Sequence, residues 1–134
     1  MAPMDIGIWL ILALACVELI VFSALVGRAR EKYGVPAPAT SGNPDWERLN
    51  RVHQNSLEQM VVFTPLFFLY ATFVGKFTAL ILGVVFLLAR IAYAVGYAKA
   101  PEKRAAGSAA TFLVQIWMAI GVIGSLLWRF SVNP

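Results

Sequence analysis

Four long apolar runs dominate this sequence and leave a chain of this kind few ways to fold. The first, Ile6 to Val26, carries one charge, Glu18. The predicted spans are about 6–27, 44–74, 77–98 and 103–129. Each reaches the roughly 20 residues that a helix needs to cross a hydrocarbon core of about 30 Å. Composition points the same way: 60% of the 134 residues are apolar and 13% charged, against about 25% charged in soluble domains. The expected fold is all-α, an integral-membrane four-helix bundle forming one domain over residues 1–134.

Local signals mark the ends of these runs. Asn43 as cap with Pro44 at the first helical position starts the second span, and Asp45 and Glu47 suit its positive end. Pro65 predicts a kink. Gly75 and Lys76 alone separate the second and third spans, which predicts a tight helical hairpin. Pro101 opens the fourth, where Gly107, Ser108, Ala109, Ala110, Gly121 and Gly124 would permit close helix approach. No Lys or Arg precedes Ile6, so the first run lacks a signal peptide's basic start and is read as a retained helix. The Pro/Gly-rich connection 34–44 is long for its neighbours and could cover something.

The net charge is +4, and its distribution carries more information than its sum. Arg28, Arg30, Lys32, Arg48, Arg51, Lys99, Lys103 and Arg104 flank the first and third connections. Lys76 and Arg129 flank the other side. Eight against two predicts that the basic side is cytosolic and that both termini face away from the cytosol. The single cysteine, Cys16, excludes a disulfide framework and reads as a small buried hydrophobe. His53 is the only histidine, so no metal site is expected. No nucleotide-binding or zinc motif occurs, and no nucleic-acid partner is expected.

The second span begins with residues a membrane helix should avoid: RVHQNSLEQM, 51–60. At about 100° per residue, Arg48, Arg51, Asn55, Glu58 and Gln59 share one side of the helix, and His53 does not. In the third span Arg90, Tyr93 and Tyr97 follow an i, i+3, i+7 spacing on one face, and Arg104 follows just past the membrane edge. At about 1.5 Å per residue, Arg90 and Glu18 each lie roughly 12 Å from the basic end of their helix, and Asn55 and Glu58 reach a similar depth. An unpaired charge at a helix centre costs about 2.5–3.5 kcal/mol. Glu18, Glu58 and Arg90 must therefore face protein or water, and an ion pair of Arg90 with Glu18 or Glu58 is one outcome. The stripes hold more donors than these carboxylates can use, which predicts a site for a polar, anionic guest.

Guanidinium forks suit carboxylates. Arg30, Arg48, Arg51, Arg90 and Arg104 supply them, Glu58 suits an ammonium, and Gln54, Asn55, Tyr93 and Tyr97 add neutral hydrogen bonds. Glutathione fits that inventory; phosphates and anionic lipid headgroups would also satisfy the arginines.

RVHQNSLE, ARIAYAVGY (89–97) and PEKRAAG (101–107) together resemble the membrane-associated family of eicosanoid and glutathione metabolism. Within it the pattern is most similar to the type 3 microsomal glutathione transferase branch, then to the leukotriene C synthase branch. The resemblance covers roughly residues 25–107. It implies a homotrimer in which glutathione, the co-substrate, lies between subunits and a lipophilic electrophile enters from the membrane lipids. It implies that Arg51, Asn55, Glu58, Tyr93 and Tyr97 hold glutathione, that Arg30 and Arg48 assist with its carboxylates, and that Arg90 braces the pocket. Arg104 would be catalytic, facing the sulfur. His53 and Gln54 match the type 3 pattern. The leukotriene-forming branch has an arginine at the position of Glu31 and a tyrosine at that of Gln59, so leukotriene specificity is not implied. Glu18 is outside the pattern and is assigned to ion pairing between helices.

The expected function is thus a membrane glutathione transferase, with peroxidase activity on lipid hydroperoxides as an extension. Its place would be a bacterial inner membrane or the endoplasmic reticulum, with the site facing the cytosol. Two alternatives differ in kind. One is a non-enzymatic lipid-binding scaffold of the same family, against which Arg51 and Arg104 argue. The other is a small proton-coupled exporter with Glu18 as its carboxylate, against which the arginine stripe and the long first connection argue.

Overall fold

A computed structural model describes residues 2–132, and every regular element among them is helical. Helix α1 spans Pro3–Tyr33, α2 Pro44–Phe73, α3 Lys76–Lys99 and α4 Ala105–Val132, with a 3-10 turn at Pro101–Arg104 before α4. All four segments are long and apolar enough to cross a membrane. At about 1.5 Å per residue the 31 residues of α1 extend some 46 Å, so its last turns, with Arg28, Arg30 and Lys32, continue beyond a hydrocarbon core.

The helix ends follow local chemistry. Asn43 Oδ1 accepts from the backbone N–H groups of Asp45 (2.9 Å) and Trp46 (3.2 Å), which fixes the start of α2. Gly34, at φ +64°, ends α1 in the left-handed conformation that glycine tolerates, and its N–H returns to the Arg30 carbonyl. Helix α2 runs on through Pro65. The turn into α3 is closed by the N–H groups of Val74 and Gly75, both donating to the Tyr70 carbonyl.

Helices α2 and α3 form the centre of the bundle: each packs on the other and on both α1 and α4. Their interface is aromatic. Phe63 and Phe86 stack with ring centroids 3.7 Å apart, and Phe63 also stacks on Phe67. Met118 of α4 and Ile11 of α1 close this core on either side. Gly83 lets α3 approach Ile11 and Phe67, because a Cβ there would lie 2.7 Å from Ile11 Cγ2. The outward faces are apolar: Ile20, Phe77, Leu113 and Phe130 are among many exposed large side chains, as expected of a surface solvated by lipid. Cys16, expected to be buried, lies on that exposed face of α1.

A second, smaller core sits at the basic end. Val26 and Ala29 of α1, Val35 of the connection and Trp46 of α2 bury one another. Trp46 is fully buried, and its Nε1–H donates to the Val26 carbonyl at 3.3 Å. The connection between α1 and α2 is thus folded onto the bundle.

Candidate functional site

The capped start of α2 sets the angular position of everything that follows on it. Arg48 pairs with Asp45 one turn back. Arg48, Arg51 and Gln54 line a recess of about 430 Å³ together with Tyr97 of α3 and Pro101. Arg51 and Glu58 are exposed, and Asn55 Nδ2 donates to Glu58 Oε2 at 3.3 Å.

On α3 the i, i+3, i+7 spacing becomes a ladder of cations and rings. The Arg90 guanidinium carbon lies 4.3 Å from the ring centroid of Tyr93. Tyr93 and Tyr97 are 5.7 Å apart, with their planes tilted by 53°. Arg104 completes the series, 4.8 Å from the centroid of Tyr97. Ring quadrupoles attract a guanidinium placed over their faces, so each tyrosine helps to hold the cation beside it. Two glycines make the return geometry possible. A Cβ on Gly96 would collide with the Lys103 carbonyl, and one on Gly107 with the backbone of Tyr93. Without those side chains the 3-10 turn folds back against α3 and carries Arg104 over Tyr97.

Beside the ladder a cleft of about 780 Å³ opens between the basic ends of α2, α3 and α4. Gln59, Arg90, Arg104, Ser108, Thr111 and Phe112 are among its walls. Pro101 borders both this cleft and the smaller recess. The cleft therefore has Arg104 and the acidic Glu102 of the same turn at its rim, and a partly apolar side at Phe112 and Ala109.

The structure brings Arg48, Arg51 and Tyr97 together in the recess, and Arg90, Tyr93, Tyr97 and Arg104 in the ladder. Arg30 is directed elsewhere. Its Nη1 donates to the carbonyls of Ala39 (2.9 Å) and Val35 (3.3 Å), and its guanidinium lies 4.4 Å over Trp46. It staples the connection to α1, and this segment covers Trp46.

The expected ion pair between Glu18 and Arg90 does not form. The salt bridges within 4.0 Å among the described residues are Arg48–Asp45 and Lys76–Asp5. Arg90 instead donates from Nη2 to Ser56 Oγ at 2.7 Å. Glu18 borders an apolar groove between α1 and α3, and its Oε1 is buried without a hydrogen-bond partner. The depth estimate brought the two charges to one level but could not give the direction of either side chain.

Three residues that the stripes did not include now matter. Ser56 is the buried acceptor for Arg90. Trp46 is the platform for Arg30. Gln115, buried on α4, donates from Nε2 to the Gln59 carbonyl at 3.1 Å and ties α4 to the polar part of α2. Of these, Gln115 had a signal, an amide inside an otherwise apolar span.

Four membrane-length helices with a cation–aromatic ladder and cleft at one end define an integral, multi-pass membrane protein with a polar site. The sequence model of the MAPEG family matches residues 8–124, and the chain belongs to that family. An uncharacterized protein of Synechocystis sp. is 48% identical over 120 residues, covering 90% of this chain and 88% of that one. Microsomal glutathione S-transferase 2 of Bos taurus is 34% identical over 110 residues, 79% of this chain and 75% of the relative. Leukotriene C4 synthase of Bos taurus is 31% identical over 110 residues, with 79% and 73% covered.

Proposed function

We propose that this protein is a membrane glutathione transferase that joins the glutathione thiolate to a lipophilic electrophile. The carrying observation is the position of Arg104, held over Tyr97 at the rim of an open cleft. Family membership and the names of the transferase and synthase relatives support the choice of glutathione. In this reading Arg51 and Arg48 meet the peptide's carboxylates, Glu58 its ammonium, and Asn55, Tyr93 and Tyr97 its remaining polar groups. Arg30 is left out of the set, because its Nη1 is bonded to the connection and its guanidinium lies over Trp46.

The chemistry needs no protein nucleophile. A thiol with a pKa of about 8.5 is only a few per cent ionised at pH 7, and a fixed guanidinium favours the anion. The thiol proton leaves to water, sulfur attacks the electrophilic carbon, and an S–C bond forms as the leaving group departs with its electron pair. With a lipid hydroperoxide, the same thiolate would attack the terminal oxygen, releasing the alcohol and a glutathione sulfenic acid. A second glutathione would convert that acid to the disulfide and water.

Arg51 and Glu58 are exposed on a helix of membrane length. Charges at such depth face protein or water rather than lipid, which supports a neighbouring copy over this face; that the copies form a homotrimer with sites between subunits is what the family resemblance implies. The charge asymmetry supports a cleft that faces the cytosol.

The test is conjugation of glutathione to an aryl halide by the purified protein, with the ultraviolet absorbance of bound thiolate as a second readout. Both are expected of the wild type, and both should be largely lost in Arg104→Ala. A wild type inert toward several electrophiles would overturn the assignment.

A further inference from the structure

The buried end of the ladder rests on a residue that the proposed reaction does not use. Ser56 is 4% exposed and donates to the Val52 carbonyl at 2.7 Å. A serine hydroxyl has one proton and two lone pairs, so with that proton committed the oxygen meets Arg90 as an acceptor. Arg90 is 2% exposed, and Ser56 Oγ is its one side-chain hydrogen-bond partner among the described residues. The Nε of the same guanidinium is buried without a partner, which leaves the serine contact and the Tyr93 ring to define its place. Contacts then continue from Arg90 to Tyr93, from Tyr93 to Tyr97, and from Tyr97 to Arg104. The series crosses from α2 through α3 to the 3-10 turn without a gap.

We propose that Ser56 is a positioning residue: by anchoring Arg90 it sets the tilt of the Tyr93–Tyr97 stack and thereby the placement of Arg104 at the cleft. The catalytic consequence rests on the transferase reading; the placement of Arg104 can be read without turnover. Ser56 itself is buried and does not line the cleft, whereas Arg90 does, so its role is one of positioning. Its effect travels through packed rings and a guanidinium, and contiguous packing of this kind is a route for coupling that requires direct measurement.

The experiment uses the full chain in lipid nanodiscs, labelled with 15N-arginine. The Nε–H resonance of Arg104 is assigned by its disappearance in Arg104→Lys. Ser56→Ala removes the acceptor with little change in volume, and should shift that resonance. Ser56→Thr retains the hydroxyl and should restore it. Ser41→Ala, in the exposed connection, should leave it in place. In steady-state assays Ser56→Ala should lower kcat for an aryl halide about threefold to tenfold, within the range of effects seen for coupling through a contact network. KM for glutathione should change little, and the midpoint of the pH–rate profile should move upward, since a less well fixed cation favours the thiolate less.

An Arg104 resonance unmoved by Ser56→Ala overturns the proposal whatever the rates do. A raised KM with unchanged kcat and pH midpoint also overturns it, because Ser56 would then act on binding. A moved resonance in a protein whose wild type does not turn over glutathione upholds the positioning role and sinks the transferase reading instead. Should Ser56→Ala not fold, Ser56→Cys is judged by the same criteria, since its sulfur is a weak acceptor of similar size.

Discussion

The Arg104 guanidinium lies over the Tyr97 ring, 4.8 Å from its centroid, although the two belong to different elements joined by a tight reversal. That reversal places a permanent cation at the rim of the cleft, where a bound thiol would feel it. If Arg104 lowers the thiol pKa from about 8.5 to about 7, the thiolate fraction at pH 7 rises from a few per cent to about half. Arg104→Ala should therefore reduce the rate at pH 7 by about tenfold or more. The sign of the pH effect follows. Above pH 9 free thiol is already mostly ionised, so the deficit of the variant should narrow as pH rises. A deficit of constant size from pH 6 to pH 9 would mean that Arg104 acts by some means other than thiolate stabilisation.

Arg30 leads to a prediction that separates structure from chemistry. Its two hydrogen bonds to Val35 and Ala39 and its stacking on Trp46 fold the connection onto the bundle. Arg30→Met should destabilise the protein by about 1–3 kcal/mol, from charged hydrogen bonds and a cation–π contact together. The visible result would be a lower melting temperature and faster proteolysis within residues 34–43. For the surviving folded fraction, KM for glutathione should stay close to that of the wild type. A large rise in KM without loss of stability would return Arg30 to the binding site.

The difference between Arg30 and Arg104 shows what the sequence could and could not reveal. Helices were legible because lipid imposes a length and a hydropathy on each span, and because Asn43–Pro44 is a local start signal. The ladder on α3 was legible because Arg90, Tyr93 and Tyr97 share one helix, where spacing alone fixes a common face. Arg30 was not, because its partners Val35 and Ala39 lie in an irregular connection whose path no periodicity encodes. Ser56 was missed for a related reason. At about 100° per residue it falls beside the polar stripe rather than within it, and its partner Arg90 comes from another helix. The Glu18–Arg90 pairing failed because matching depth does not specify matching direction.

At the opposite end of the bundle Lys76 Nζ meets Asp5 Oδ1 at 2.5 Å, linking the start of α1 to the α2–α3 hairpin. Both groups are substantially open to solvent, where ion pairs contribute little and are screened by salt. Asp5→Asn should leave glutathione conjugation unchanged and alter the melting temperature by no more than a degree or two at physiological salt. A loss of activity in this variant would reveal coupling between the two ends of the bundle that the packing does not suggest.

Gly107 offers the sharpest packing test. Helix α4 meets α3 there at backbone distance: an added Cβ would fall 2.6 Å from Tyr93 Cα and 2.7 Å from the Ala89 carbonyl oxygen. Neither is the flexible tip of a side chain, so α4 must move outward to accept even a methyl group. Overpacking of this kind costs about 1–3 kcal/mol. Gly107→Ala should therefore lower stability by that order. It should also reduce turnover beyond what the loss of folded protein explains, because the shift displaces the turn that carries Arg104 from the Tyr97 ring. Gly124→Ala is the matched control on the same helix, since a Cβ there meets nothing within 4 Å. In a membrane helix alanine replaces glycine with a gain in helix propensity, so this control should be neutral or slightly stabilising. Melting temperature and kcat measured on the two variants decide the matter: equal behaviour would show that the α3–α4 contact at Gly107 yields without strain, and that the cleft does not depend on it.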